Sequence, residues 1–116
     1  METRSSSKEK GNKELNRAIK LEVLSGPMDG SEFSIQQDIT TIGRGEKNDI
    51  TLPFDRLISG YHSKITFEND YYWLEDAGSR NGTYIEGEKI NSRVKIASET
   101  IFKLGKTEMR LINSAD

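Results

Sequence analysis

Lys64-Ile65-Thr66-Phe67-Glu68-Asn69-Asp70-Tyr71-Tyr72-Trp73-Leu74-Glu75-Asp76 decides the fold class. Apolar and polar residues alternate from Lys64 to Glu68, Asn69-Asp70 supplies turn chemistry, and an apolar, aromatic run returns from Tyr72 to Asp76. Period two before an Asn-Asp turn and an apolar return after it predict a β-hairpin. Upstream, Ile19, Leu21 and Val23 alternate with Lys20, Glu22 and Leu24 until Ser25-Gly26-Pro27 stops the run. Phe33 and Ile35, Ile39 to Ile42, and Ile50-Thr51-Leu52 before Pro53 predict further short strands. Downstream come Thr83-Tyr84-Ile85, then Ile90, Val94 and Ile96, then Thr100 to Leu104 before Gly105, and finally Met109 to Ile112. No stretch of this body carries the i, i+3, i+4, i+7 spacing of a helix. Many short strands with turns every 8–12 residues predict an all-β sandwich of two sheets, although the pairing order is not readable.

Before Ile19 the chain is polar, rich in Ser, Lys, Glu and Asn, and residues 1–18 are expected to form a flexible tail or linker. The domain is expected over residues 19–113. Five basic and three acidic residues leave +2 on the tail and therefore −4 on the remainder of a chain whose net charge is −2. An acidic body is a poor nucleic-acid binder, because displacing counterions from phosphates needs dense Lys and Arg. With no cysteine and one histidine, neither a disulfide framework nor a thiolate or multi-His metal site is available, so no metal and no cofactor are expected. No apolar run is long enough to span a membrane. These features point to a monomeric cytoplasmic protein.

Three loops carry polar residues that packing does not require. In Ile42-Gly43-Arg44-Gly45, the glycines let the backbone turn sharply and place a guanidinium, whose planar fork suits phosphate oxygens, at a strand end. A solvated loop arginine is the plainer reading of that segment taken alone. In Ser59-Gly60-Tyr61-His62, the hydroxyl and the Gly60 N–H are able to donate to an anion. Hydrolysis by Ser59 and His62 has to be weighed, but no nucleophile elbow or orienting carboxylate is apparent, and His62 reads as a loop brace. In Asp76-Ala77-Gly78-Ser79-Arg80-Asn81-Gly82-Thr83, Asn81-Gly82 fits a turn, and its amide also suits the backbone of an extended peptide.

Taken together, Gly43-Arg44, Asp49-Ile50-x-Leu52, Ser59-x-x-His62 and Leu74-x-Asp76-x-Gly78-Ser79-x-Asn81-Gly82-Thr83 closely resemble the signature of forkhead-associated (FHA) domains. The resemblance covers about Ile19 to Asn113. It implies an FHA/SMAD-like β-sandwich that is no enzyme and that recognises phosphothreonine in a partner protein, a Ser/Thr kinase or its substrate, in a signalling or adaptor role. It further implies that Arg44 and Ser59 hold the phosphate, with Gly60 and Arg80 beside it and Asn81 on the peptide backbone. Gly43, His62, Gly82 and Thr83 would keep the loops in shape. Two positions depart from the pattern. Gly60 stands where many relatives place a polar side chain, and Leu57 where some place a basic residue that selects the third position after the phosphothreonine. A phosphorylation-independent scaffold domain within a larger assembly is the alternative.

Overall fold

The computed structural model describes residues 18–113. Among them are eleven strands: β1 Ile19–Val23, β2 Glu32–Ser34, β3 Ile39–Gly43, β4 Ile50–Thr51, β5 Ser63–Glu68, β6 Tyr71–Asp76, β7 Thr83–Ile85, β8 Glu88–Lys89, β9 Val94–Ile96, β10 Ile101–Leu104 and β11 Thr107–Asn113. A single 3-10 turn, Gly26–Met28, stands where Ser25-Gly26-Pro27 ends β1. The tail expected over residues 1–18 lies, apart from Ala18, outside the described residues.

The strands form two sheets, in the orders β2-β1-β11-β10-β7-β8 and β4-β3-β5-β6-β9. All pairs are antiparallel except β3 with β4, which is parallel. That pair is joined beyond its ladder by side chains: the Asp49 carboxylate accepts from the Thr41 N–H at 2.9 Å, and the Thr41 hydroxyl oxygen accepts from the Asp49 N–H at 2.9 Å. The hairpin of β5 and β6 turns through Asn69 and Asp70, with φ of 56° and 70°. Two left-handed residues make a turn whose twist matches that of the flanking strands, and Asn and Asp tolerate it better than other side chains. Glu86 and Gly87, with φ of 52° and 81°, join β7 to β8 in the same way.

The inward residues of both sheets meet in one core. Leu21 and Val23 of β1, Ile42 of β3, Ile65 of β5, Leu74 of β6, Phe102 and Leu104 of β10, and Met109 and Leu111 of β11 are all buried. Each fully buried aliphatic or aromatic side chain stabilises the sandwich by roughly 1.5–3 kcal/mol. Ile19 pairs with Asn113, so the first and last strands lie side by side near the centre of the six-stranded sheet. Among the described residues no helix is long and apolar enough to cross a membrane.

Candidate functional site

Arg44 follows β3, Ser59 and Gly60 precede β5, and Arg80 and Asn81 lie between β6 and β7. β3 runs towards the end of the sandwich from which antiparallel β5 departs, and β6 returns to it, so the three loops cap the same end. The loops are also tied to one another. The Arg44 N–H donates to the Ser59 carbonyl at 2.9 Å and the Gly45 N–H to the Gly60 carbonyl at 3.1 Å, which extends the β3–β5 pairing beyond the ladder. Gly43 permits this approach, because a Cβ there would collide with the Gly60 carbonyl and the Asn48 amide. The same Asn48 amide donates to the Gly45 carbonyl at 2.7 Å and to the Gly60 carbonyl at 2.5 Å.

The second and third loops are joined by a backbone bond, the Ala77 N–H donating to the His62 carbonyl at 2.8 Å, and by three bonds that use side chains. The Arg80 N–H donates to the Ser59 hydroxyl oxygen at 3.0 Å, and the Asn81 amide donates to the Leu57 carbonyl at 2.9 Å. His62, fully buried, supplies the third. Its Nδ1 accepts from the Ser59 N–H at 3.0 Å, so the ring proton sits on Nε2, which donates to the Gly82 carbonyl at 2.9 Å. Asp76 is 3.9 Å from that nitrogen, and we read no ion pair there, since an acceptor Nδ1 belongs to the neutral ring. With both nitrogens on backbone groups, His62 is not aimed at the Ser59 hydroxyl.

Asp76 anchors the third loop. One carboxylate oxygen accepts from the Gly78 and Ser79 N–H groups at 3.0 and 2.9 Å, and the other from the Ser79 and Thr83 hydroxyls at 2.6 and 2.7 Å. Burial pushes this carboxyl up, and the donors from Ser79, Thr83 and Gly78 outweigh burial and leave it below its ordinary value. Because Thr83 donates to Asp76, the buried Ser63 hydroxyl donates to Thr83, at 2.8 Å. Gly82 adopts φ of +89°, with its N–H on the Ser79 hydroxyl at 2.8 Å. Asn48, Asp76 and Ser79 have structural roles here that go beyond the sequence expectation. The Asp-x-Gly-Ser spacing was the available signal, since an Asp side chain commonly bonds backbone N–H groups two and three residues on.

What remains uncommitted defines what the site is able to bind. Arg44 and Arg80 are exposed, and their guanidinium groups meet no partner among the described residues. The Ser59 hydroxyl keeps its proton to donate while its oxygen accepts from Arg80. The Gly60 N–H faces no acceptor among the described residues. Two guanidinium groups, a hydroxyl and an N–H, borne by loops already bonded to one another, suit an oxyanion. No group of three or more His, Cys, Asp and Glu side chains able to hold a metal occurs among the described residues.

The model of the FHA domain family matches residues 40–105, which include all three loops. The chain belongs to the FHA domain family. The similar relatives include the glycogen accumulation regulator GarA of Mycobacterium tuberculosis, 38% identical over 86 residues that cover 74% of this chain and 52% of the relative. The oxoglutarate dehydrogenase inhibitor of Corynebacterium jeikeium is 36% identical over 95 residues, covering 82% of this chain and 65% of that protein. This FHA domain therefore spans between about half and two thirds of the length of the curated relatives it matches. Among solved structures, the FHA domain of CT664 from Chlamydia trachomatis superposes with a TM-score of 0.75 at 33% identity, covering 81% of this chain and 95% of that one. The FhaA FHA domain, complexed with the intracellular domain of Rv3910, matches with a TM-score of 0.72 at 25% identity, covering 80% and 98%.

Proposed function

We propose that this FHA domain binds phosphothreonine in a partner protein, acting as an adaptor rather than an enzyme. The observation that carries the reading is the Arg44–Ser59 backbone bond, which makes neighbours of a residue whose guanidinium is uncommitted and one whose hydroxyl has a proton to give. In this reading the phosphate, carrying about −1.5 to −2 charges, sits between Arg44 and Ser59 and accepts from the Gly60 N–H. Asn81 holds the peptide backbone with the part of its amide not bonded to Leu57, and Arg80 lies beside the phosphate through its link to Ser59. Gly43, His62, Gly82 and Thr83 act by fixing the loops. Each charge-assisted bond contributes about 1.5–3 kcal/mol, so a few of them beside a solvated peptide give micromolar binding, about −8 kcal/mol.

The partner class is a Ser/Thr kinase or its substrate, met by a monomer in the cytoplasm, where such kinases act. Regulatory names among the relatives, GarA and the oxoglutarate dehydrogenase inhibitor, support an adaptor role. The engagement of both His62 nitrogens by backbone groups supports the non-catalytic reading, because Ser59 then lacks a base. Titration of a phosphothreonine peptide by calorimetry should give micromolar affinity, lost on dephosphorylation and reduced about a hundredfold or more by Arg44→Ala. Undiminished binding by that variant would remove Arg44 from the site. The side-chain-free Gly60 favours a second reading, a scaffold that ignores phosphate. Equal affinity for phosphorylated and unphosphorylated forms of one partner would decide for it.

A further inference from the structure

A groove of about 640 Å3 leaves the loop end of the sandwich and runs down the outer face of the six-stranded sheet. It starts at Leu57 and Asn81, which are bonded to each other, and passes Gly105 on its way to Ile101. From Gly105 to Ile101 is four residues of β10, about 13 Å at the rise of a strand. The register explains the channel. Lys103 pairs with Tyr84 on β7 and with Glu108 on β11, so these three side chains stand in one row on the outer face. Ile101 projects to the same face and, at 43% exposed, is as open as Leu57, also 43%. Neither apolar side chain is needed by the core. Among the described residues, Glu86, Lys103 and Glu108 make no ion pair. The groove thus offers apolar contacts at both ends and an excess of negative charge between them.

We infer that this groove is a second, phosphate-independent contact for the same partner, taking an extended segment contiguous with the phosphothreonine that carries an apolar residue and a Lys or Arg. The inference rests on the phosphothreonine reading, because the groove opens from Asn81 and Leu57. An extended chain over about 13 Å presents about four residues, alternate ones facing the sheet. An apolar side chain against Ile101 and a cation beside Glu86 or Glu108, to one side of Lys103, satisfy the groove. The second contact also compensates for the side chain that Gly60 lacks, since affinity withheld at the phosphate is recovered along the sheet.

The test uses the full chain and fluorescence anisotropy with a short phosphothreonine peptide. It adds two longer peptides, extended by about six residues on one side or the other with Leu and Lys. One longer peptide is expected to bind about tenfold more tightly than the short one. That gain is expected to vanish with Ile101→Glu and to shrink with Glu108→Lys, the short peptide binding all three proteins alike. Arg44→Ala is expected to weaken short and long peptides together. If the short peptide binds and neither extension helps, or if the gain survives both groove variants, the groove contact is wrong while the phosphothreonine site stands. If the short peptide does not bind the wild-type chain, both readings fall. A wild-type chain that sediments as a dimer, split by Ile101→Glu, would give the groove to a second copy and overturn the proposal.

Discussion

A carboxylate that accepts four hydrogen bonds leaves its loop few alternative shapes, and Asp76 holds the Asn81 loop in that way. Asp55 does the same near Gly105, accepting from the Leu57 and Lys106 N–H groups at 3.0 and 2.7 Å and from the Thr107 hydroxyl at 2.7 Å. For both, burial pushes the carboxyl up and the donors win, so the folded value lies below the ordinary 3.8. A depressed folded value means stability that is fully present above 3.8 and lost as pH falls below it through the folded values. The urea midpoint is therefore expected to be level from about pH 7 to 5 and to fall below about pH 4, less steeply in Asp76→Asn. A midpoint unchanged down to pH 3 would contradict the assignment. Gly60 allows a gain to be sought. A Cβ built there meets nothing within 4 Å, and its φ lies outside the left-handed region. Gly60→Arg is expected to fold normally and to tighten phosphopeptide binding severalfold, up to about tenfold for one added charge-assisted bond. Unchanged or weaker binding in the same titration would argue that this position does not face the ligand.

Loops bonded to one another respond as a unit, so changes between them act at a distance. Gly43→Ala forces its new methyl against the Gly60 carbonyl and the Asn48 amide. The expected outcome is a loss of about 1–3 kcal/mol in urea unfolding together with weaker phosphopeptide binding, although Gly43 itself faces no ligand. Full affinity in this variant would mean that the loop spacing tolerates change. Strands and loops were not equally legible in the chain. β5 and β6 were plain because Ile65 sits between the polar Lys64 and Thr66, and because Asn69-Asp70 turns the chain into an apolar return that buries Tyr72 and Leu74. β8, Glu88–Lys89, carries no apolar residue and left no periodic trace; it exists because the Glu86-Gly87 turn folds it back onto β7. The parallel pairing of β4 was hidden for a similar reason, since the Thr41–Asp49 bonds join residues eight apart. At the candidate site, Arg44, Ser59 and Asn81 stood out by residue type and order. The tie from Asn48 to the Gly60 carbonyl did not, because a side chain's bond to distant backbone depends on a fold that spacing alone does not give, whereas the Asp76 bonds to Gly78 and Ser79 lay within the Asp-x-Gly-Ser spacing.

At the scale of the molecule, β11 is the strand the chain waits for. It pairs with β1 on one side and β10 on the other, and buries Met109 and Leu111. Folding must bring Ile19–Val23 to Met109–Asn113, contacts separated by nearly the whole domain, so refolding is expected on the millisecond-to-second scale of non-local β topologies. A chain ending at Lys106 is expected to lack cooperative urea unfolding, since its sheet would split between β1 and β10. A cooperative transition in that truncation would show that the remaining strands suffice. The pairing of Ile19 with Asn113 has one more result. Polypeptide enters and leaves the sandwich at adjacent points, at the pole facing away from Arg44, Ser59 and Asn81. Any longer host protein would therefore carry this module like a lamp on a single bracket, its lit side turned outward and left clear by the attachment.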